Sequence, residues 1–334
     1  MKQSTGFLLI VLSLLTSISA LAQQQTPRPP PINIDSIDWS PDGTKIAIAR
    51  GASSCTGDDN AVHIIDVQTN LHIGSLTEDQ CNVLSVAWSP DGTRIATTSM
   101  EGYVRIFNAL TYQLLSTSEP FLQGRRTVIW NFDSSRLLVV FPDDPAMEIL
   151  DGTTAKSVSI ICCHSYGIFS ADWSPTGAQF ASGGVINTIE VWDAASGQSF
   201  RSINAHPGEV RAIAYSPDGT LLASGGNSPD STVRIWDPSS GALVHILNGH
   251  TASIRSLAWH PQGTYLASAS LDGTVRLWNV VSGEQIDLLG PFNDLNTVAW
   301  SPDGTRLAFG GDAETGEAKV QIVSVSSITF PPVP

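Results

Sequence analysis

The sequence predicts an all-β chain of tandem repeats, each holding four short strands. Three observations lead there: a five-residue turn motif that recurs seven times, a step of 41 to 49 residues between copies, and a short apolar strand directly after each copy. The motif stands as Trp39-Ser40-Pro41-Asp42-Gly43 and returns over 88–92 and 300–304. Variants begin at Trp173, Tyr215 and Trp259, with a degenerate copy at Trp130.

Each element of the repeat has a local cause. The leading aromatic ends one strand. Pro in Ser-Pro-Asp-Gly presets φ for a type I turn, Asp tolerates the next position, and Gly accepts the exit conformation. A second strand follows at once, as in Leu221 to Ser224 or Tyr265 to Ser268. A third closes on an aromatic and a polar residue in Val191-Trp192-Asp193, Ile235-Trp236-Asp237, Leu277-Trp278-Asn279 and Ile106-Phe107-Asn108. A fourth comes after it, as in Gln198 to Ile203 and Gln285 to Leu289.

On these motifs the chain resembles the WD40-repeat family over residues 32–330. The resemblance implies a seven-bladed β-propeller, each blade a four-stranded antiparallel sheet whose first strand lines a central channel. One blade cannot bury both its faces, whereas seven stacked in a ring can. The resemblance also implies a blade-locking network: His206, Ser224, Asp230 and Trp236 in blade five, and His250, Ser268, Asp272 and Trp278 in blade six. Blade four keeps His164, Ser182 and Trp192 but has Ile186 in the Asp place, and the other four blades lack the His. Blades five and six are thus expected to be the stiffest, and blades one, three and seven the least regular. For closure, Ser326 to Phe330 is expected to form the outer strand of blade seven, because the amino-terminal Pro-Arg-Pro-Pro-Pro makes a poor strand.

The two ends read differently from the repeats. Lys2, the apolar run Phe7 to Leu15 and Ala20-Leu21-Ala22 predict a cleaved signal peptide over 1–22. The stretch Phe7 to Ala22 is shorter than the roughly 20 residues that a spanning helix needs. A Pro-rich tether is expected over 23–31 and a Pro-rich tail over 331–334. Export would place the protein in a secreted or periplasmic, oxidising compartment, with no membrane span after cleavage.

Charge narrows the partners. Against 17 Lys and Arg stand 31 Asp and Glu, a net charge of −14, and no basic run occurs. Nucleic-acid binding, which needs clustered cations to displace phosphate counterions, is not expected. Loops on one face of the ring, here called the top, add Asp58, Asp59, Asp143, Asp144, Asp312, Glu314 and Glu317. They read either as solvated charge or as a docking surface for a basic partner or cation.

Four residues before each leading aromatic stand Asp35, Leu84, Arg126, Phe169, Arg211, Arg255 and Asn296, at the top end of the channel strands. This mixed ring has the composition of a binding hot spot, though each Arg could instead pair with a loop carboxylate. One residue before the aromatics, Asp38 and Asp172 face the channel among Ala and Ile at the other five places. They are weak candidates for an acid/base pair or a cation site, set against simple hydrogen bonding in a wet channel.

No metal site, cofactor motif, Gly-x-Ser-x-Gly elbow or phosphate loop is found. Cys55 and Cys81 are expected to pair, closing a loop for about 3.5 kcal/mol on a chain-entropy estimate. Cys162 and Cys163 are adjacent, too close for an unstrained bridge. The expectation is a monomeric, non-catalytic extracytoplasmic scaffold whose top face takes a protein or peptide. The alternative is a propeller enzyme of hydrolase or lyase type that uses Asp38 and Asp172 with a bound cation.

Overall fold

The computed structural model describes residues 32–52, 60–79, 81–121, 127–142, 144–162, 164, 166–312 and 319–325. The expected signal peptide, tether, tail and closing strand lie outside the described residues, as do Cys55, Cys163 and Arg126. Within them the strands form seven antiparallel sheets, six of four strands and a seventh with three described strands, Leu295–Trp300, Arg306–Gly311 and Gln321–Ser324. The fold is all-β: a seven-bladed β-propeller of four-stranded antiparallel blades.

Strand order follows chain order in every blade, so the first strand of each is the innermost. These inner strands are Ile32–Trp39, Val83–Trp88, Thr127–Trp130, Ile168–Trp173, Val210–Tyr215, Ile254–Trp259 and Leu295–Trp300. Ile32–Trp39 pairs with Lys45–Ala52 as part of blade one and does not complete blade seven. The ring closes where this strand packs on Leu295–Trp300, and the Trp39 indole donates to the Ala299 carbonyl at 3.2 Å.

The core lies between blades. Val62, Ile64 and Leu76 of blade one pack on Val83, Trp88 and Phe107 of blade two, and Val233, Ile235 and Leu247 of blade five pack on Ile254, Leu266 and Trp278 of blade six. Second strands are covered on both faces, which explains their small and apolar residues; Tyr265–Ser270 is buried throughout.

The recurrent turn is held by its own side chains. Ser40 Oγ donates to Asp42 Oδ1 at 2.6 Å, Asp42 accepts the Thr44 N–H at 3.0 Å, and the Lys45 N–H donates to Ser40 Oγ at 2.9 Å. The Ser40 hydrogen bond is the main reason that the Asp42 carboxyl is held down at about 2. Gly43 sits at φ 69°, where a side chain would be strained.

The locks implied by the family resemblance form in blades five and six. His206 joins Asp230 at 2.5 Å and Ser224 at 2.8 Å, and the Trp236 indole donates to the same Ser224 at 2.8 Å. His250 repeats this with Asp272 at 2.8 Å and Ser268 at 2.7 Å, and Trp278 donates to Ser268 at 2.9 Å. Burial pushes both imidazoles below their usual range, which keeps them neutral. In blade four Trp192 donates to Ser182 at 2.8 Å, yet among the described residues the buried His164 makes no side-chain lock like those of blades five and six.

Blade two carries a lock built without histidine. Asp79 occupies the His position, nine residues before Trp88, and Thr97, Glu101 and Phe107 take the Ser, Asp and Trp positions. Arg105 bridges the two carboxylates, pairing with Asp79 and with Glu101 at 2.6 Å, while Thr97 donates to Asp79 at 3.1 Å. Asp79 and Arg105 are both buried, so the charges compensate each other within the blade.

Candidate functional site

Among the described residues six of the seven inner strands break register at one place. In blade one Ile34 pairs with Arg50 and Ser36 with Ala49, which makes Asp35 between them the extra residue of a bulge. The same skip falls on Leu84, Phe169, Arg211, Arg255 and Asn296. A bulge bends the strand and re-aims the extra side chain. The six residues that the repeat spacing singles out are therefore six bulge residues, and Arg126, the seventh, lies outside the described residues.

Glycine makes room for this geometry on the paired strand. A Cβ at Gly184, opposite Ile168, would collide with the Gly167 carbonyl, and one at Gly311, opposite Leu295, with the Asp294 carbonyl.

The bulge residues converge on one concavity of about 190 Å³ at the mouth of the channel. Asp35, Leu84, Phe169, Arg211, Arg255 and Asn296 line it and all are half-buried. The Arg211 guanidinium lies 3.8 Å from the Phe169 ring centroid and pairs with Glu209. Asn296 donates to Asp312 Oδ1 at 2.7 Å and to the Ile34 carbonyl at 3.3 Å, which fixes it across the seam of blades seven and one. Arg211 thus pairs with a neighbouring carboxylate and also lines the concavity.

Asp38 and Asp172 are each engaged by the backbone. Asp38 accepts the Trp39 N–H at 2.9 Å and, across the blade boundary, the Trp88 N–H at 2.6 Å. Asp172 accepts the Trp173 N–H at 2.9 Å and the Tyr215 N–H at 2.8 Å. Burial pushes each carboxyl up to about 7 against the pull of these amides. The pair act as braces between blades, a role hidden in the sequence because the partners are 50 and 43 residues away.

Among the described residues no group of three or more His, Cys, Asp or Glu could hold a metal ion. No helix among them is long and apolar enough to cross a membrane. Cys162 is free and exposed. Cys81 is disulfide-bonded, and its expected partner Cys55 lies outside the described residues.

Four stretches match the family described as WD domain, G-beta repeat: 71–108, 155–193, 197–237 and 241–279. Each runs from the outer strand of one blade through the third strand of the next, ending in blades two, four, five and six. The chain is 27% identical to human apoptotic protease-activating factor 1 over 268 residues, 76% of this chain and 18% of that protein. It is 39% identical to the anaphase-promoting complex subunit cdc20 of Dictyostelium discoideum over 80 residues, 22% of this chain and 16% of that one. The chain thus spans less than a fifth of the length of these two relatives. A chain in a crystal structure of the mitotic checkpoint complex superposes with a TM-score of 0.70 at 24% identity, covering 84% of this chain and 87% of that one.

These comparisons correct one expectation. A secreted or periplasmic location was read from residues 1–22, but the relatives matched are cytoplasmic or nuclear proteins. Joined with the geometry, the superposition shows a seven-bladed β-propeller fold in which four stretches are similar to the WD domain, G-beta repeat.

Proposed function

We propose that the protein is a non-catalytic binding scaffold that seats a protein or peptide partner over the mouth of its channel. The observation that carries this reading is the convergence of six bulge residues on one concavity, with Arg211 stacked on Phe169. A rigid ring holds these side chains, so little ordering entropy is lost on binding. Half-buried Arg and aromatic groups in a concave site are the kind that dominate interface energies. The names of similar proteins support the reading: one is a subunit of the anaphase-promoting complex, and one solved chain comes from the mitotic checkpoint complex. Catalysis by Asp38 and Asp172 gains no support, since each carboxylate already holds two backbone amides.

A photo-crosslinking side chain in place of Phe169 tests it. The expected result is a partner adduct at Phe169 and none when the same group replaces Asp303, in a turn at the opposite end. Adducts at Asp303 and none at Phe169 would overturn the choice of face.

A further inference from the structure

We propose that Asn227, which stands outside the lining of the channel mouth, is a positioning residue for it: acting through Glu209, it holds Arg211 in place over Phe169. This role rests on the reading of the mouth as the binding site, and it adds the means by which one of the anchors there is held before a partner arrives.

A line of polar side chains runs across three blades. Ser253, which leads into the inner strand of blade six, is buried and accepts the Ser228 N–H at 3.2 Å, and its own hydroxyl donates to Asn227 Oδ1. Asn227 Nδ2 donates to Glu209 Oε2 at 2.6 Å. The same carboxylate oxygen pairs with the Arg211 guanidinium, which lies 3.8 Å from the ring centroid of Phe169 in blade four. An ionised carboxylate can only accept, so the Asn227 amide must turn its amino group to Glu209 and its oxygen to Ser253. The Asn227 N–H also donates to the Glu209 carbonyl at 3.1 Å, so main chain and side chain grip the same neighbour.

The repeat shows what is particular to blade five. Sixteen residues past Leu84, Phe169, Arg211, Arg255 and Asn296 stand Met100, Val185, Asn227, Leu271 and Asp312. Each of these donates its backbone N–H to the carbonyl two residues before the bulge residue, at 2.9 to 3.1 Å, so they hold one place in the fold. Where the bulge residue is apolar this place is apolar too: Leu84 goes with Met100 and Phe169 with Val185. Where it is Asn296 the place holds Asp312, which accepts from Asn296 directly at 2.7 Å. Where it is Arg211 the place holds Asn227, and the contact passes through Glu209. Arg255 with Leu271 departs from the pattern. A long side chain that a partner must immobilise loses rotamer freedom on binding, and an Arg211 already held in place loses less. Loss of the Asn227 amide would release the Glu209 carboxylate, and with it the guanidinium that it orients.

The test is fluorine NMR of the full chain with para-fluorophenylalanine in place of Phe169, whose resonance reports the stacked guanidinium. Arg211→Ala sets the position of the unstacked line. Asn227→Asp, which turns a second carboxylate toward Glu209, should move the line most of the way to that position, and Asn227→Ala should do the same if the first variant does not fold. Adding Glu209→Gln to Asn227→Asp should return the line, because the new glutamine donates to the new aspartate while its oxygen accepts from Arg211. A purely structural role for Asn227 would give neither the displacement toward the Arg211→Ala line nor its reversal. A line unmoved by both Asn227 variants, or one still displaced in the double variant, would overturn the proposal. The readout needs no partner, so the reading of the mouth fails separately, by crosslinking at Asp303 and not at Phe169.

Discussion

The carboxylate of Asp172 accepts the backbone N–H of Tyr215 at 2.8 Å and so ties the inner strand of blade four to that of blade five. Asp38 does the same for Trp88 at 2.6 Å. At four other junctions an indole spans the gap instead: Trp39 to Ala299, Trp130 to Ala87, Trp259 to Ala214 and Trp300 to Ala258, all between 3.0 and 3.2 Å. At the junction of blades three and four, the buried Trp173 indole has no hydrogen-bond partner among the described residues. Serine hydroxyls add a third kind of clasp between inner strands, Ser36 with Val86, Ser85 with Val128, Ser170 with Ile213 and Ser256 with Val298. Of the three kinds only the carboxylate responds to pH.

That response has a definite sign. Burial lifts both carboxyls from 3.8 to about 7, so between these values the folded chain holds protons that the unfolded chain has lost. The stability they contribute is complete below the unfolded value and is lost as pH rises through about 7. We expect the melting temperature of the wild type minus that of the Asp38→Asn, Asp172→Asn double variant to shrink from about pH 5 to about pH 8. Melting curves across this range check it, and a difference that grows with pH would contradict it.

The blade-two lock predicts a large and unforgiving loss. Arg105→Ala leaves Asp79 buried without its cation, a change that typically costs about 3–5 kcal/mol. Arg105→Lys should recover little of this, since one ammonium cannot reproduce a fork that spans Asp79 and Glu101. Urea denaturation of both variants measures it, and near-wild-type stability of Arg105→Ala would show that the pair contributes nothing net.

Blade four offers the converse experiment. Among the described residues the buried His164 has no carboxylate partner, and Ile186 stands where blades five and six place Asp230 and Asp272. Ile186→Asp should give His164 a partner and raise stability by on the order of 1 kcal/mol. A lower melting temperature would mean that the loop cannot present a carboxylate to the ring.

Much of this was legible because the repeat is a ruler. Counting from each aromatic puts Asp35, Leu84, Phe169, Arg211, Arg255 and Asn296 at one repeat offset, and the bulge explains why that offset recurs. Asp79 stands at the His offset of the same ruler, but a motif defined by histidine does not include it. The roles of Asp38 and Asp172 were not legible, because a hydrogen bond to a backbone amide in the next blade leaves no mark in side-chain pattern. Location was misread for a different reason: an apolar, small-residue amino terminus carries no information about the fold behind it.

The most direct test of the central claim is the affinity of the partner found by crosslinking for the Arg211→Ala, Arg255→Ala double variant. The account predicts at least about tenfold weaker binding with an unchanged melting curve, since such anchors commonly contribute over about 2 kcal/mol at the centre of an interface. Unchanged affinity here, with an equal or larger loss from substituting Asp42, Asp91 and Asp303 in the turns of the opposite face, would contradict it.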